Sequence, residues 1–125
     1  MKYLVTGGAG FIGSNLVDKL IKDGHDVVCV DNESAESNLK FYWTTKAKNY
    51  YCDVNDFTFL SSIFSKEKPD TIFHLAAEAR IQPTLNEPYK ACLTNFVGTC
   101  NVLQASKENG VKRVIYSSTS SAYGL

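Results

Sequence analysis

The sequence has no excess of charge of either sign and no long apolar run. Its 125 residues carry 13 Lys and Arg against 13 Asp and Glu, so electrostatics gives no reason to expect a nucleic-acid or membrane partner. No apolar run approaches the roughly 20 residues that a membrane-spanning helix requires. The first six residues lead directly into glycines and leave no room for the apolar core of a signal peptide, so we expect a cytoplasmic protein.

Histidine and cysteine are too scarce and too scattered to predict a metal site. Only His25 and His74 are present, and none of the four cysteines, at positions 29, 52, 92 and 100, belongs to a Cys-x-x-Cys pair. We therefore expect no bound metal. We interpret the cysteines as reduced, small apolar residues that fill the core.

The sequence does contain a regular alternation between short apolar runs and longer stretches of helical periodicity. The short runs are rich in Val, Ile and Tyr, and they predict buried strands at 2–5, 27–30, 49–52, 71–75 and 111–116. Helices are predicted from 11 to a glycine at 24, over 57–64 and over 87–107, with a long polar connection at 31–48. Such alternation predicts one α/β domain with a doubly wound parallel sheet.

A glycine-rich segment separates the first predicted strand from the first predicted helix. Residues 6–13 contain Gly-x-x-Gly-x-x-Gly at 7, 10 and 13, and also Gly-x-Gly-x-x-Gly at 8, 10 and 13. Such glycines allow a sharp turn and let a diphosphate approach bare backbone, while the N-terminus of the following helix favours negative charge. A glycine-rich turn without a ligand remains the alternative at this stage.

An acidic residue, Asp31, ends the second predicted strand 18 residues after Gly13. In this position a carboxylate can accept hydrogen bonds from the ribose hydroxyls of adenosine. Because it would repel a 2′-phosphate and no arginine is nearby in the sequence, it favours NAD over NADP. An ordinary turn aspartate is the alternative interpretation.

These motifs together resemble the extended short-chain dehydrogenase/reductase family, and in particular its NAD-dependent sugar-nucleotide epimerases and dehydratases. The resemblance also rests on Asp53-Val54 after the third strand, His74-Leu75-Ala76-Ala77 after the fourth, and Asn-x-x-Gly-Thr at 95–99. It implies a Rossmann-like NAD-binding domain over 1–125. The cofactor-binding residues that it implies are Gly7, Gly10, Phe11, Ile12, Gly13, Asp31, Asn32, Asp53, Val54, Leu75, Ala76, Ala77 and Asn95. We interpret His74 as a structural histidine rather than a catalyst.

The segment 116–124, rich in Ser and Thr, is similar to the loop that carries the catalytic hydroxyl of this family, which the match places on Thr119. The dehydratases usually have Asp-Glu directly after that threonine, whereas this sequence has Ser120 and Ser121. The pattern is therefore similar to that of 4-epimerases acting on UDP-hexoses or UDP-uronates, in which NAD takes a hydride and returns it to the other face. A solvated loop with no catalytic role would have a similar composition.

The catalytic base of the family, a Tyr-x-x-x-Lys pair on the helix after the fifth strand, has no match at that place. Tyr42 and Lys46 have the spacing, but they lie between the second and third strands, on the side expected for adenosine. We therefore expect the chain to be the N-terminal portion of a longer enzyme or a natural truncation, incomplete after about five strands and inactive alone, with a nucleotide-sugar substrate in the full-length enzyme.

Two surfaces of such a domain would remain apolar and open: its last sheet edge and the apolar face of the 87–107 helix. We expect self-association, as a dimer, to cover them. Two other functions stay open: a stand-alone nucleotide-binding or regulatory module, and a nucleotide-sugar dehydratase or reductase of the same family.

Overall fold

The computed structural model describes residues 1–35 and 38–124, which form a five-stranded parallel sheet with helices on both faces. The strands, in chain order, are β1 Lys2–Thr6, β2 Asp26–Asp31, β3 Lys48–Tyr51, β4 Thr71–His74 and β5 Arg113–Tyr116. Their order across the sheet is β3-β2-β1-β4-β5, and every neighbouring pair is parallel. The predicted doubly wound α/β fold is confirmed.

The helices are α1 Phe11–Lys22, α2 Phe57–Glu67, α3 Ile81–Asn86, α4 Pro88–Cys92 and α5 Gly98–Glu108. A π-helical turn, Leu93–Val97, joins α4 to α5, and a 3-10 turn, Ser120–Tyr123, follows β5. The predicted 87–107 helix is thus interrupted by the π turn, and α3 was not predicted. No helix in the described ranges has the length and apolar character needed to cross a membrane.

Local sequence explains where several helices begin and end. Gly24 takes the positive φ of +88° that closes the turn after α1, and Asp56 caps α2 by accepting a hydrogen bond from the Phe59 amide at 3.2 Å. Pro88 occupies the first position of α4, where its missing N–H costs no helical hydrogen bond.

The core consists of two apolar layers, because successive strand residues point to opposite faces of the sheet. One layer lies beneath α2 and α5, and its fully buried members include Leu4, Val28, Leu60, Phe64, Ile72 and Val102. The other lies beneath α1 and includes Val5, Val17, Leu20, Val27 and Cys29. This arrangement leaves the carboxyl ends of the strands uncovered by either layer.

The apolar stripe predicted on the 87–107 helix faces away from this core. Tyr89 and Phe96 are 77% and 71% exposed, whereas the residues that α4 and α5 bury are small: Ala91, Gly98, Val102, Ala105 and Ser106. The backbone of α5 lies so close to Val54 that a Cβ on Gly98 would be 2.6 Å from Val54 Cγ2. Close packing through small residues therefore selects the buried face, and the larger side chains remain outside.

The interpretation of all four cysteines as core residues was wrong for two of them. Cys29 and Cys52 are buried, and burial is the main reason that the pKa of each thiol is raised to about 12. Cys92 and Cys100 are exposed, because they lie on the outward stripe of the same helical segment. All four are free thiols, as expected.

Candidate functional site

A cleft of about 760 Å³ opens where the carboxyl ends of the strands meet. It is lined by every residue that the sequence analysis proposed for a site: Gly7, Gly10, Phe11, Ile12, Gly13, Asp31, Asn32, Asp53, Val54, Leu75, Ala76, Ala77, Asn95 and Thr119. Other lining residues were not proposed from sequence, among them Ser34, Asn38, Glu78, Thr84, Thr94 and Thr99. Thr99 ends the Asn-x-x-Gly-Thr motif but was given no role there, and the others lie in irregular segments or on helices with no spacing motif, so no sequence signal pointed to them.

The glycine loop turns β1 sharply into α1. Gly7 has a φ of +68°, and a Cβ there would lie 3.0 Å from the Ala76 amide nitrogen. A Cβ on Gly13 would collide with the Gly7 carbonyl, so the helix start and the strand end are in direct contact. These two glycines therefore bring the loop, α1 and the segment after β4 together at one edge of the cleft.

The N-terminus of α1 offers unpaired donors to the cleft. Its N-cap residue is Gly10, which has no side chain to cap the first-turn amides, and no acidic side chain lies in that turn. Phe11 and Ile12, which follow it, are exposed at the cleft. This end of the helix is consequently a site of positive potential that suits an anion.

Asp31 connects the glycine loop to β2. Its carboxylate is nearly buried, at 9% residue exposure, and accepts hydrogen bonds from the Ala9 amide at 3.0 Å and the Glu33 amide at 2.8 Å. A carboxylate has about four acceptor positions, so two such bonds leave capacity for a ligand hydroxyl.

Several carboxylates line the cleft. Asp31, Asp53 and Glu78 line it, and in the described part of the chain no lysine or arginine does. Backbone amides and the α1 dipole are thus the positive groups available to a bound diphosphate.

The amide of Asn95 is used within the chain. Its Oδ1 accepts from the Glu78 amide at 2.7 Å, and its Nδ2 donates to the Glu78 carbonyl at 3.0 Å. This two-bond pairing, made from the π-helical turn, fixes the segment that follows Ala77 along the cleft wall.

His74 is enclosed beneath the same wall. It is 2% exposed, with Nδ1 at 2.7 Å from Thr6 Oγ1 and Nε2 at 2.8 Å from Thr99 Oγ1. Burial lowers the pKa of its imidazole to about 4, which keeps it neutral near pH 7. Both ring nitrogens have partners within the chain, in agreement with the interpretation of His74 as a structural histidine.

The hydroxyl-rich segment and the Tyr42–Lys46 pair lie on different sides of the cleft. Thr119 is exposed at the mouth beyond β5, and its Oγ1 accepts from the Ser121 amide at 3.1 Å. The Tyr42 amide instead donates a hydrogen bond to the Ala9 carbonyl at 2.9 Å, beside the glycine loop. The indole N–H of its neighbour Trp43 donates to the Glu33 carboxylate at 2.8 Å. Tyr42 therefore lies beside the glycine loop, near the end of β2 that carries Asp31, whereas Thr119 follows β5 at the opposite edge of the sheet.

Comparisons with known proteins agree with this geometry. The sequence profile of the NAD dependent epimerase/dehydratase family matches residues 3–125. A UDP-glucose 4-epimerase of Lacticaseibacillus casei is 37% identical over 124 residues, which cover 99% of this chain and 37% of that protein. A crystal structure of the Thermotoga maritima UDP-glucose 4-epimerase with UDP-glucose has a TM-score of 0.91 at 42% identity, covering 98% of this chain and 39% of its own.

A Thermus thermophilus UDP-glucose 4-epimerase, solved in complex with NAD, has a TM-score of 0.87 at 30% identity. The match covers 95% of this chain and 38% of that one. The chain thus spans about two-fifths of the length of the relatives that it resembles.

Proposed function

The chain belongs to the NAD dependent epimerase/dehydratase family, and from this premise we propose that its cleft binds NAD as the cofactor-binding part of a nucleotide-sugar 4-epimerase. The observation that carries the proposal is the convergence of an uncapped helix N-terminus, a glycine loop and one nearly buried carboxylate on the same cleft. Each of these features serves a different part of a dinucleotide.

The diphosphate would lie against the first turn of α1. A dinucleotide carries its negative charge there, and the residues at that turn, Gly10 to Gly13, offer amides without a side-chain cap. Gly7, in contact with Ala76, leaves the backbone bare on the opposite side. The loop needs no basic side chain, because amide donors and the helix dipole supply the attraction.

The adenosine ribose would lie one strand over, at Asp31. Two of its acceptor positions hold the Ala9 and Glu33 amides, and the others can accept ribose hydroxyls. A 2′-phosphate at this place would meet a carboxylate without a compensating lysine or arginine in the described lining of the cleft. We therefore propose NAD, not NADP, as the cofactor. Asp53, Val54, Leu75, Ala77 and Asn95 would complete the walls around it.

Thr119 is the residue that we propose for contact with the sugar. Its oxygen accepts one local amide, which leaves the hydroxyl hydrogen free to donate to a sugar oxygen. When bound, NAD would supply the hydride acceptor and donor that 4-epimerisation requires. Ser120 and Ser121 offer no carboxylate for the elimination of water, which favours epimerisation over dehydration.

We further propose that this chain, alone, binds the cofactor without turning over a sugar nucleotide. Among the described residues that line the cleft, no lysine is present to lower the pKa of a tyrosine base. A regulatory nucleotide-binding module would share this property, and only the absence or presence of turnover in a longer form of the protein separates the two.

The exposed stripe of α4, the π turn and α5 supports a homo-oligomer. Its large apolar members, Tyr89, Phe96 and Leu103, are half to three-quarters exposed on one face. We propose that a second copy covers this face. Light scattering at high concentration should give a dimer, and a Phe96→Asp variant should give a monomer.

Titration calorimetry with NAD and NADP tests the central proposal. We expect NAD to bind, NADP to bind more weakly, and Asp31→Ala to weaken NAD binding by about tenfold to a hundredfold, the loss of one or two charge-assisted hydrogen bonds. Asp26→Ala is the matched control, since Asp26 is exposed at the other end of the same strand. Fluorescence of the single tryptophan, Trp43, provides a second readout, because its indole N–H is hydrogen-bonded to Glu33, two residues from Asp31.

Urea unfolding of the Asp31→Ala variant must accompany the titration, because Asp31 also holds the loop. A second variant, Asp31→Asn, keeps one acceptor oxygen and should lose less affinity. The proposal is wrong if the folded protein binds no NAD, or if it binds NADP as well as NAD and the Asp31 variants change neither.

A further inference from the structure

Three side chains from three elements form a polar chain that runs from the buried Thr6 and His74 to the partly buried Thr99 at the cleft lining, and the proposed chemistry does not use it. Thr6 at the end of β1 contacts His74 at the end of β4, and His74 contacts Thr99 in the first turn of α5. The two distances, 2.7 and 2.8 Å, are those of good hydrogen bonds. The ring of Tyr116 stacks on His74, with centroids 6.1 Å apart.

The direction of the first bond follows from the acceptor capacity of Thr6. Its Oγ1 accepts the Ala76 amide at 3.1 Å and the Leu75 amide at 3.0 Å, and the Leu75 amide is shared with the Thr6 carbonyl at 3.2 Å. A hydroxyl has two lone pairs, so both are occupied. Its hydrogen can then only be donated to His74, whose Nδ1 must be unprotonated.

The direction of the second bond follows from the first. A neutral imidazole with a bare Nδ1 carries its proton on Nε2, which donates to Thr99 Oγ1. Thr99 in turn donates its hydroxyl hydrogen to the Asn95 carbonyl at 2.7 Å. Every donor in the chain from the amides of Leu75 and Ala76 to the carbonyl of Asn95 thus has an acceptor.

We infer that Thr6, His74 and Thr99 form a hydrogen-bonded relay of one fixed direction, with His74 as its Nε2–H tautomer, which positions the two walls of the cleft. One wall is the segment that begins at Leu75 and Ala76. The other is the π turn, whose Asn95 holds the backbone of Glu78. His74 is a positioning residue in this relay and needs no contact with a ligand.

Thr99 lies directly after the π turn that carries Asn95. The Gly98 amide bonds to the Leu93 carbonyl, a five-residue spacing. The Thr99 hydroxyl donates to the Asn95 carbonyl four residues earlier, as the Ser106 hydroxyl does to the Val102 carbonyl later in α5. The wider turn presents the Asn95 side chain toward Glu78 while Thr99 reaches His74.

The protonation state of His74 tests the relay without any ligand. Nitrogen-15 NMR of the folded protein near pH 7 should show an unprotonated Nδ1 and a protonated Nε2. A proton on Nδ1, or on both nitrogens, would overturn the inference, because Thr6 could then not donate to the ring.

Variants of Thr6 test the positioning role, and the part of this test that uses NAD rests on the proposed function. Thr6→Val keeps the shape and removes the hydroxyl, so hydrogen exchange of the Ala76 amide should be about tenfold faster and NAD affinity about tenfold lower. Thr6→Ser restores the hydroxyl and should restore both. Thr71→Val is the matched control: Thr71 is buried at the far end of β4, and within the described ranges its hydroxyl makes only a 4.0 Å contact with the sulfur of Met1.

The outcomes separate the two proposals. If the protein binds no NAD while the tautomer and the Ala76 exchange are as expected, the relay stands and the proposed function fails. If NAD binds but Thr6→Val behaves like Thr71→Val in both readouts, the relay fails and the function stands. Should Thr6→Val not fold, Thr99→Val is compared with the native protein by the same tautomer and affinity measurements, and an unchanged result overturns the relay.

Discussion

The two ends of the sheet use polar groups in opposite ways. At the amino end, Glu67 of α2 is enclosed, with a side chain 1% exposed, and accepts from Lys2 Nζ at 3.0 Å, Lys48 Nζ at 3.3 Å and Tyr50 OH at 2.6 Å. These contacts join the first residue of β1, two residues of β3 and the last residue of α2. The negative charge of the Glu67 carboxylate is neutralised by lysines of the same chain.

At the carboxyl end the polar groups are bare amides, hydroxyls and a carboxylate with spare acceptor capacity. Asp31 holds two amides and faces the cleft, and the first turn of α1 has no cap. One end therefore contributes stability without a ligand site, and the other keeps donors and acceptors for a ligand. Substitutions at the two ends should separate the free energy of unfolding from the affinity for NAD.

The largest effect is expected from Gly13→Ala at the carboxyl end. The added Cβ collides with the Gly7 carbonyl and lies 2.8 Å from Gly8 Cα, so the loop must move. We expect a loss of about 3 kcal/mol in the free energy of unfolding and no measurable NAD binding. Urea unfolding and calorimetry measure the two quantities.

Gly110→Ala is the control for that substitution. Gly110 follows α5 near the amino end of β5, with a φ of +69° and no atom within 4 Å of an added Cβ. It should cost about 1 kcal/mol of backbone strain and leave NAD binding unchanged. Equal effects of the two alanines on affinity would contradict the division between the ends.

Glu67→Gln should have the next largest effect, at the opposite end. Burial alone would raise the pKa of Glu67, but hydrogen bonds from Tyr50, Lys2 and Lys48 outweigh it and lower that pKa to about 2. The neutral amide loses the attraction of both ammonium groups, and we expect about 2 kcal/mol less stability with NAD affinity unchanged. Glu108→Gln, an exposed change on α5, should cost less than about 0.5 kcal/mol. A parallel fall in affinity would show that the ends are coupled.

Acid should weaken the two ends in different pH windows. The pKa of His74 falls from 6.5 to about 4 on folding because the ring is buried, so the unfolded chain binds more protons between these values. Stability is therefore complete above pH 6.5 and decreases as the pH falls toward 4. The corresponding window for Glu67 lies between 4.5 and about 2, where stability again decreases as the pH falls.

Urea titrations at a series of pH values separate these windows. Between pH 7 and pH 5.5 we expect a loss of about 1 kcal/mol from His74. Glu67→Gln should remove the contribution of Glu67 to the decrease below pH 4.5 and keep the decrease between pH 7 and 4.5, which comes from His74. A flat profile between pH 7 and 5.5 in the native protein would contradict the enclosure of His74.

Sequence reasoning located the carboxyl end well and the amino end not at all. Gly7, Gly13 and Asp31 are visible because their spacing is local and their chemistry restricts the residue type. The Glu67 cluster depends on contacts between residues up to 65 positions apart, which no periodicity encodes. The 87–107 stripe is exposed, as the sequence analysis expected, but periodicity did not indicate which smaller residues of that segment pack on the core, because the close approach of Gly98 to Val54 decides which face is buried.

The smallest effect is expected from Thr119→Ala, at the mouth of the cleft. Loss of a cap usually destabilises a helix, but Thr119 caps only the exposed 3-10 turn Ser120–Tyr123, which can open without unfolding the sheet. We expect a change below about 0.5 kcal/mol in unfolding and less than about twofold in NAD affinity. Thr6→Val also removes a threonine hydroxyl, but from the relay of Thr6, His74 and Thr99, so it serves as the comparison. If Thr119→Ala weakened NAD binding as much as Thr6→Val does, the mouth would belong to the cofactor site and not to a separate site for the sugar.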